Sequence, residues 1–364
     1  MTAAVRTAHR RAVALVGVLV MTIAASCASA SSWAWRKVPD PGPLGPREGV
    51  ALAVTPAGAI AWGGLDVDGT LHDDGALLED NRWTDLPPGP LSARHSSGVA
   101  VLDGGRVVIV GGSSASNLNG EGDLRDGAVY DIDARRWEPI EPLPDRVALS
   151  RSCRTLIVIG DRLVTPCVGD GEPWAELVAG QWIQLVPPPG VDRASLQLAT
   201  SGRELIAVWV SGGTLRSARD SGRGWVLTSG GDVGEVATPL GRVAPLAVTT
   251  AGGRVAALTT ERVWWFDGDR RWTPGLRIPP EPNAAISNTA IAVGVADVLI
   301  RLDLGRDLVL EEAEWRLIPR PDGVPEPWLR QAPACGPTSC LVVGEPPGAE
   351  PLSGRHTVWW LSRA

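Results

Sequence analysis

The chain has 364 residues, 44% of them hydrophobic and 21% charged, which is enough apolar content for a large core and excludes a disordered chain. Its 43 Gly and 31 Pro favour many short elements and turns over long helices. A formal net charge of −7 argues against binding nucleic acid or anionic membranes through bulk charge.

At the N-terminus, Arg6, Arg10 and Arg11 precede the apolar run Ala12 to Ala25, followed by Ser26, Cys27 and Ala28-Ser29-Ala30. A basic stretch, a short apolar stretch and small residues form an export signal, and the run is shorter than the ~18 residues needed to cross a bilayer. Ala24-Ala25-Ser26-Cys27 resembles a bacterial lipobox, departing from it at Ala24. That resemblance implies a signal over 1–26, a lipid on Cys27 and a short tether over 27–32. Simple secretion after cleavage near Ala30 is the alternative. The expected location is the outer face of the cytoplasmic membrane, or outside the cell, with membrane contact only through the lipid.

Setting Cys27 aside leaves four cysteines, an even number suited to an oxidising compartment. Cys335 and Cys340 enclose Gly336-Pro337-Thr338-Ser339, and Cys153 and Cys167 flank a hairpin pattern around Gly160-Asp161. Cross-hairpin pairing would bring each pair within disulfide range, and two local disulfides are expected. At Gly160-Asp161 the register is open, since a strict two-residue turn would put Cys153 and Cys167 on opposite faces. With no nearby His, metal binding at these cysteines is disfavoured.

From residue 33 to 364 the chain reads as one repetitive domain marked by tryptophan. Trp35, Trp83, Trp137, Trp182, Trp225, Trp272 and Trp315 recur at intervals of 48, 54, 45, 43, 47 and 43 residues. Periods of this length with β-rich content are the signature of propeller blades. Between Arg94 and Trp137 four strand-like runs can be counted: Gly98–Leu102, Arg106–Gly112, Gly127–Asp131 and the Trp137 run itself. Four strands per unit is what a blade needs. After Trp315 only three strands remain, while the Trp35 strand has no blade before it. Pairing the chain's two ends resolves both deficits. The fold expected is all-β: a seven-bladed β-propeller of four-stranded antiparallel blades closed by the Trp35 strand, with six blades as the alternative count.

Val110-Gly111-Gly112, Tyr130-Asp131, Trp137, Leu143-Pro144 and Arg146 together resemble a kelch repeat. The preceding unit resembles it too, through Gly63-Gly64, Trp83, Leu86-Pro87 and Arg94, with Leu78 where the family has Tyr. Later units depart further. The resemblance implies a propeller of the galactose oxidase central-domain type, with these Gly and Trp residues in structural roles.

On such a disc, the loop entering each innermost strand and the loop joining the second and third strands emerge on one face. Arg47, Arg94, Arg193 and Arg242 fall at or near the entry of innermost strands, giving either a basic ring for a carboxylate or phosphate ligand or ordinary loop-bracing arginines. Asp66 and Asp68, with Asp73-Asp74, make an acidic loop on the same face, and a candidate calcium site. No other cofactor is expected. His72, His95 and His356 lie in different units, and Tyr130 is the only tyrosine, which counts against tyrosine-dependent oxidase and sialidase chemistry. With no recognisable reaction centre, the expectation is a non-catalytic binding scaffold of the cell envelope recognising a protein partner or extracytoplasmic ligand. The alternative is a carbohydrate-active hydrolase or lyase with its site at the channel mouth.

Overall fold

The computed structural model describes residues 31–39, 42, 44–116, 124–144, 156–165, 174–191, 196–202, 204–211, 214–220, 222, 224–232, 247–259, 262–266, 271–279, 291–295, 297–302, 307–325, 333–344 and 357–364. Seven four-stranded antiparallel sheets hold all of its strands but Arg47–Glu48 and Leu65–Asp66, which pair with each other. Blade 1 comprises Ala51–Thr55, Gly58–Trp62, Gly75–Glu79 and Arg82–Asp85, and blade 2 Gly98–Val101, Val107–Val110, Gly127–Asp131 and Arg136–Ile140. Blade 3 runs from Ile157–Ile159 to Gln181–Leu185, blade 4 from Gln197–Ser201 to Trp225–Asp232, blade 5 from Ala247–Ala251 to Trp272–Arg277, and blade 6 from Ile291–Val295 to Glu314–Ile318. Blades 4 and 6, the most degenerate in sequence, are complete four-stranded units. The only helical segment among the described residues is a 3₁₀ turn at Asp103–Gly105.

Blade 7 is assembled from both ends of the chain. Its three inner strands are Ala334–Cys335, Ser339–Gly344 and Thr357–Arg363, and its outer strand is Trp33–Lys37, with Trp35 opposite Leu361. The innermost strands of the seven blades touch in sequence order, and that of blade 7 returns to that of blade 1, completing the circle. A circle leaves no terminal blade with an open face, so every blade is covered on both sides.

That arrangement explains the apolar runs. Successive residues of a strand point to opposite faces, and here both faces are buried. In the first strand of blade 1, Ala51 and Ala53 pack toward blade 2, while Leu52 and Val54 pack toward blade 7. The core is accordingly divided into seven apolar clusters, one in each gap between neighbouring blades. Only the outer strands alternate with solvent, as in Arg136–Ile140.

Five members of the tryptophan series tie their outer strand to the preceding blade by a hydrogen bond. Indole N–H groups of Trp137, Trp182 and Trp225 donate to the carbonyls of Pro87, Glu141 and Val186, each just past the outer strand of the blade before, at 3.0, 2.7 and 2.6 Å. Trp272 reaches back to Ser217 Oγ at 2.7 Å and Trp35 to Asp307 Oδ2 at 3.0 Å. Trp83 lies against Gly42, where a Cβ would come within 2.9 Å of its ring nitrogen. A large apolar ring with one polar handle suits this double duty of filling an inter-blade gap and satisfying a loop carbonyl.

Cys335 and Cys340 face each other across the first hairpin of blade 7 and form a disulfide. At Gly160-Asp161 the hairpin takes the two-residue register, Ile159 opposite Arg162. Cys153 and Cys167 lie outside the described residues, as do Cys27, the export signal, Arg193, Arg242 and His356.

Candidate functional site

The loops entering the innermost strands and those joining second to third strands share one face, the entry face. Arg47 and Arg94 both reach it, but their guanidinium groups are turned into the protein. Arg94 is fully buried and grips both carboxylate oxygens of Asp126 at 2.7 and 2.8 Å, while also donating to the Gly111 carbonyl and to Ser92. Arg47 does the same in blade 1, holding Asp74 at 2.5 and 3.0 Å and donating to the Gly63 carbonyl. Each arginine thus pins the entry to its first strand against the loop leading into its third. The geometry is the bracing role, because a guanidinium already shared between a carboxylate and a carbonyl has little left for a ligand.

The acidic loop is likewise used internally. Asp66 Oδ1 accepts the backbone N–H groups of Asp68 and Thr70, and Oδ2 lies 3.0 Å from His72 Nε2. The other ring nitrogen of His72 faces Asp74 at 3.7 Å. Among the described residues, no group of three or more His, Cys, Asp or Glu is placed to hold a metal ion.

These pairings carry a pH signature. The Arg94 guanidinium holds the Asp126 carboxyl below its ordinary range, and Arg47 does the same to Asp74. The backbone N–H of Thr70, followed by His72 and Asp68, lowers Asp66. In the unfolded chain these aspartates take up protons near pH about 3.9, before the folded ones do. Their contribution is therefore fully present above that pH and is lost as pH falls through the lower, folded values. The melting temperature should stay flat from neutral pH to about 5 and drop below about 4. Thermal melts of Asp126→Asn should start lower at neutral pH and show a shallower acid decline than the parent.

At the mouth of the central channel, a feature emerges from comparing blades 1 and 2. Arg47-Glu48-Gly49 and Arg94-His95-Ser96 occupy equivalent positions, and the third residue in each has a left-handed backbone, φ +65° at Gly49 and +59° at Ser96. Glycine adopts that conformation without a steric cost. Serine adopts it at a steric cost; six other described non-glycine residues have positive φ, all in turns between third and fourth strands, whereas Ser96 lies outside such a turn. The Ser96 N–H donates to the Gly49 carbonyl at 2.6 Å, so the two left-handed residues brace each other. Ser96 Oγ lies 2.8 Å from His95 Nδ1, and His95 is buried behind it, its backbone paired in both directions with Ser113.

Ser96 forms part of the wall of the central channel, a cavity of about 830 Å³ that extends from Gly49 and Ser96 at the entry face to Gly336 and Pro337 at the other. A second cavity, of about 600 Å³, lies between blades 3 and 4. There Arg162 bridges Glu176 and Asp220, both buried, and these carboxylates, Glu176 foremost, raise the Arg162 pKa above its ordinary value. This triad ties blade 3 to blade 4.

Of the candidate residues, Arg47, Asp66 and Asp68 cluster on one sector of the entry face with His72 and Asp74, and Arg94 stands beside it. His95 was visible in the sequence only as an isolated histidine. Ser96 carried one signal, its alignment with Gly49 two residues after the repeated arginine.

No family model and no curated protein sequence matches this chain. Solved structures do. A streptogramin B lyase is 10% identical, with a TM-score of 0.57, over 91% of this chain and 98% of that one. A catalytically inactive histidine-to-alanine variant of virginiamycin B lyase from Staphylococcus aureus, with quinupristin, is 10% identical, with a TM-score of 0.55, over 91% and 99%. A fungal alcohol oxidase of the AA5 family in complex with copper is 12% identical, with a TM-score of 0.57, over 91% of this chain and 76% of that one. At these identities the likeness shows the β-propeller fold alone. The expectation of a non-catalytic scaffold is corrected to this extent: the three neighbours named above are enzymes, two of them lyases. That expectation rested on finding no catalytic motif in the chain, and on a propeller neighbouring loops assemble a site from residues that form no contiguous motif.

Proposed function

We propose that this protein is a lyase acting at the entry mouth of its channel, with Ser96 and His95 as the proton-handling pair. The observation that carries the reading is the left-handed, strained Ser96, hydrogen-bonded to a buried imidazole at the position where blade 1 has glycine. With Nδ1 as acceptor, His95 draws the Ser96 proton as the hydroxyl oxygen takes a proton from a substrate carbon next to a carbonyl. The carbon–oxygen bond one position further breaks, a carbon–carbon double bond forms, and the Ser96 hydroxyl passes a proton to the departing oxygen as the imidazolium behind it returns one to Ser96. No water is consumed. The lyase names of two structural neighbours support this choice, and the histidine whose loss inactivates one of them makes an imidazole base a reasonable analogue. The same reading takes residues 33–364 as one kelch-type unit working outside the cytoplasm and held to the membrane by a lipid on Cys27.

The test is a turnover screen of carbonyl-activated esters and glycosides, monitored for a conjugated double bond and run in heavy-oxygen water. Ser96→Ala and His95→Gln should each lower kcat by roughly a hundredfold or more, with melting temperatures near the parent's. Incorporation of heavy oxygen without an unsaturated product would replace elimination by hydrolysis through a Ser96 nucleophile. Full activity in a folded Ser96→Ala variant would remove the site.

A further inference from the structure

The wall of the central channel contains no Asp, Glu, Lys, Arg or His among the described residues. Val50, Val99 and Leu198 are among its partly exposed apolar residues. It also contains hydroxyls, but most of them face away from any guest. Thr249 Oγ1 accepts the backbone N–H of Gly294 at 2.8 Å, stapling the inner strand of blade 5 to that of blade 6. Thr250 Oγ1 donates to the Thr200 carbonyl at 2.7 Å, stapling blade 5 to blade 4, and Ser97 Oγ donates to the Gly111 carbonyl. That leaves the hydroxyls of Ser96 near the entry and Thr200 toward the far end. A cavity of this volume, with more apolar than polar surface and no ionisable side chain among its described lining, has the make-up of a small-molecule site.

We infer that the channel takes a neutral, apolar segment of the substrate, an acyl, alkyl or aromatic arm, while the reacting bond sits at Ser96. This rests on the catalytic reading of Ser96 and adds the substrate class. The physical reason is selection by desolvation. An ion entering this wall would lose its water and meet no counter-charge among the described residues, whereas an apolar arm removes its own surface from water. A charged sugar acid or phosphate is therefore a poor occupant, and the braced arginines at the rim do not compensate.

The experiment is calorimetric titration of the full chain with monooctanoylglycerol, octanoate, octylammonium and maltotriose at physiological salt. Monooctanoylglycerol should bind at least about tenfold more tightly than either ion, and maltotriose should not compete with it. Leu198→Lys should weaken monooctanoylglycerol by about tenfold or more. Val248→Lys, on the neighbouring inner strand, replaces it if the first variant does not fold. Equal or tighter binding of octanoate, no binding of any alkyl probe, or unchanged affinity in a folded lysine variant would each overturn the inference. Ser96→Ala separates the two claims. Retained probe binding with lost turnover upholds both, and retained binding with retained turnover removes only the catalytic assignment. Lost turnover in a protein that never bound the alkyl probes removes only the channel.

Discussion

Gly294→Ala should destabilise the disc by about 3 kcal/mol or more, although it adds a single methyl group. A Cβ at this position would lie 1.7 Å from the carbonyl oxygen of Thr250 and 2.5 Å from its carbonyl carbon. Both are main-chain atoms of the innermost strand of blade 5, so no side chain can swing aside. The inner strands of blades 5 and 6 would have to separate, and the bond from the Gly294 N–H to Thr249 Oγ1 would go with them. Because the inner strands form a closed circle, a local separation is transmitted round the ring. The control is Gly253→Ala, where φ is +72° and no heavy atom stands within 4 Å. That change meets only backbone strain, about 1 kcal/mol. Denaturant titrations should show the first variant far below the second, and near-equal midpoints would mean that the two strands do not approach as described.

Arg94→Ala should cost about 2–3 kcal/mol or more, because a fully buried side chain is removed and its acceptors lose their donor. The side chain has no exposure and satisfies five acceptor contacts at once, among them both oxygens of Asp126 and the carbonyl of Gly111. Its loss leaves a void and unpaired acceptors beneath the entry face. Arg94→Lys keeps the charge but cannot reproduce the two-pronged grip, so it should recover less than half of the loss. Asp126→Asn should cost less than Arg94→Ala, since Asp126 is 44% exposed and water can replace part of what it gives up. A double-mutant cycle on Arg94 and Asp126 should return a coupling of at least about 1 kcal/mol. Coupling near zero would make the arginine a space-filler and restore it as a candidate for ligand binding.

The architecture was legible because its determinants are local and recur. Trp137, Trp182 and Trp225 each repeat one contact, an indole N–H on a loop carbonyl of the preceding blade, so their spacing records blade width directly. The pairing of Trp33–Lys37 with Thr357–Arg363 could also be read, from the strand shortage at one end and the surplus at the other. The roles of the arginines were only half legible. Arg47 and Arg94 were visible, but their partners stand 27 and 32 residues further on. The available clue was that Asp74-Gly75-Ala76 and Asp126-Gly127-Ala128 recur in step with them. The candidate site was the least legible part. A serine in a left-handed conformation has no sequence signature of its own, and it becomes visible only when its blade is superposed on one that has glycine there.

The antiparallel pairing of the first and last strands sets a schedule for biosynthesis. Arg36 donates to the carbonyl of Arg363, its neighbour in space, from 327 residues earlier in the chain. At about 5–20 residues per second, the Trp-rich first strand waits roughly 15–65 s after its own synthesis before its partner exists. Until blades 6 and 7 are made, Trp33 and Trp35, both buried in the finished disc, lack the native surfaces that cover them. Each internal blade can pair its strands soon after they are made, whereas blade 7 can form only once Thr357–Arg363 has been made. A nascent chain of this topology needs Trp33–Lys37 kept from other strand edges, and loss of Thr357–Arg363 would leave that strand without its partner.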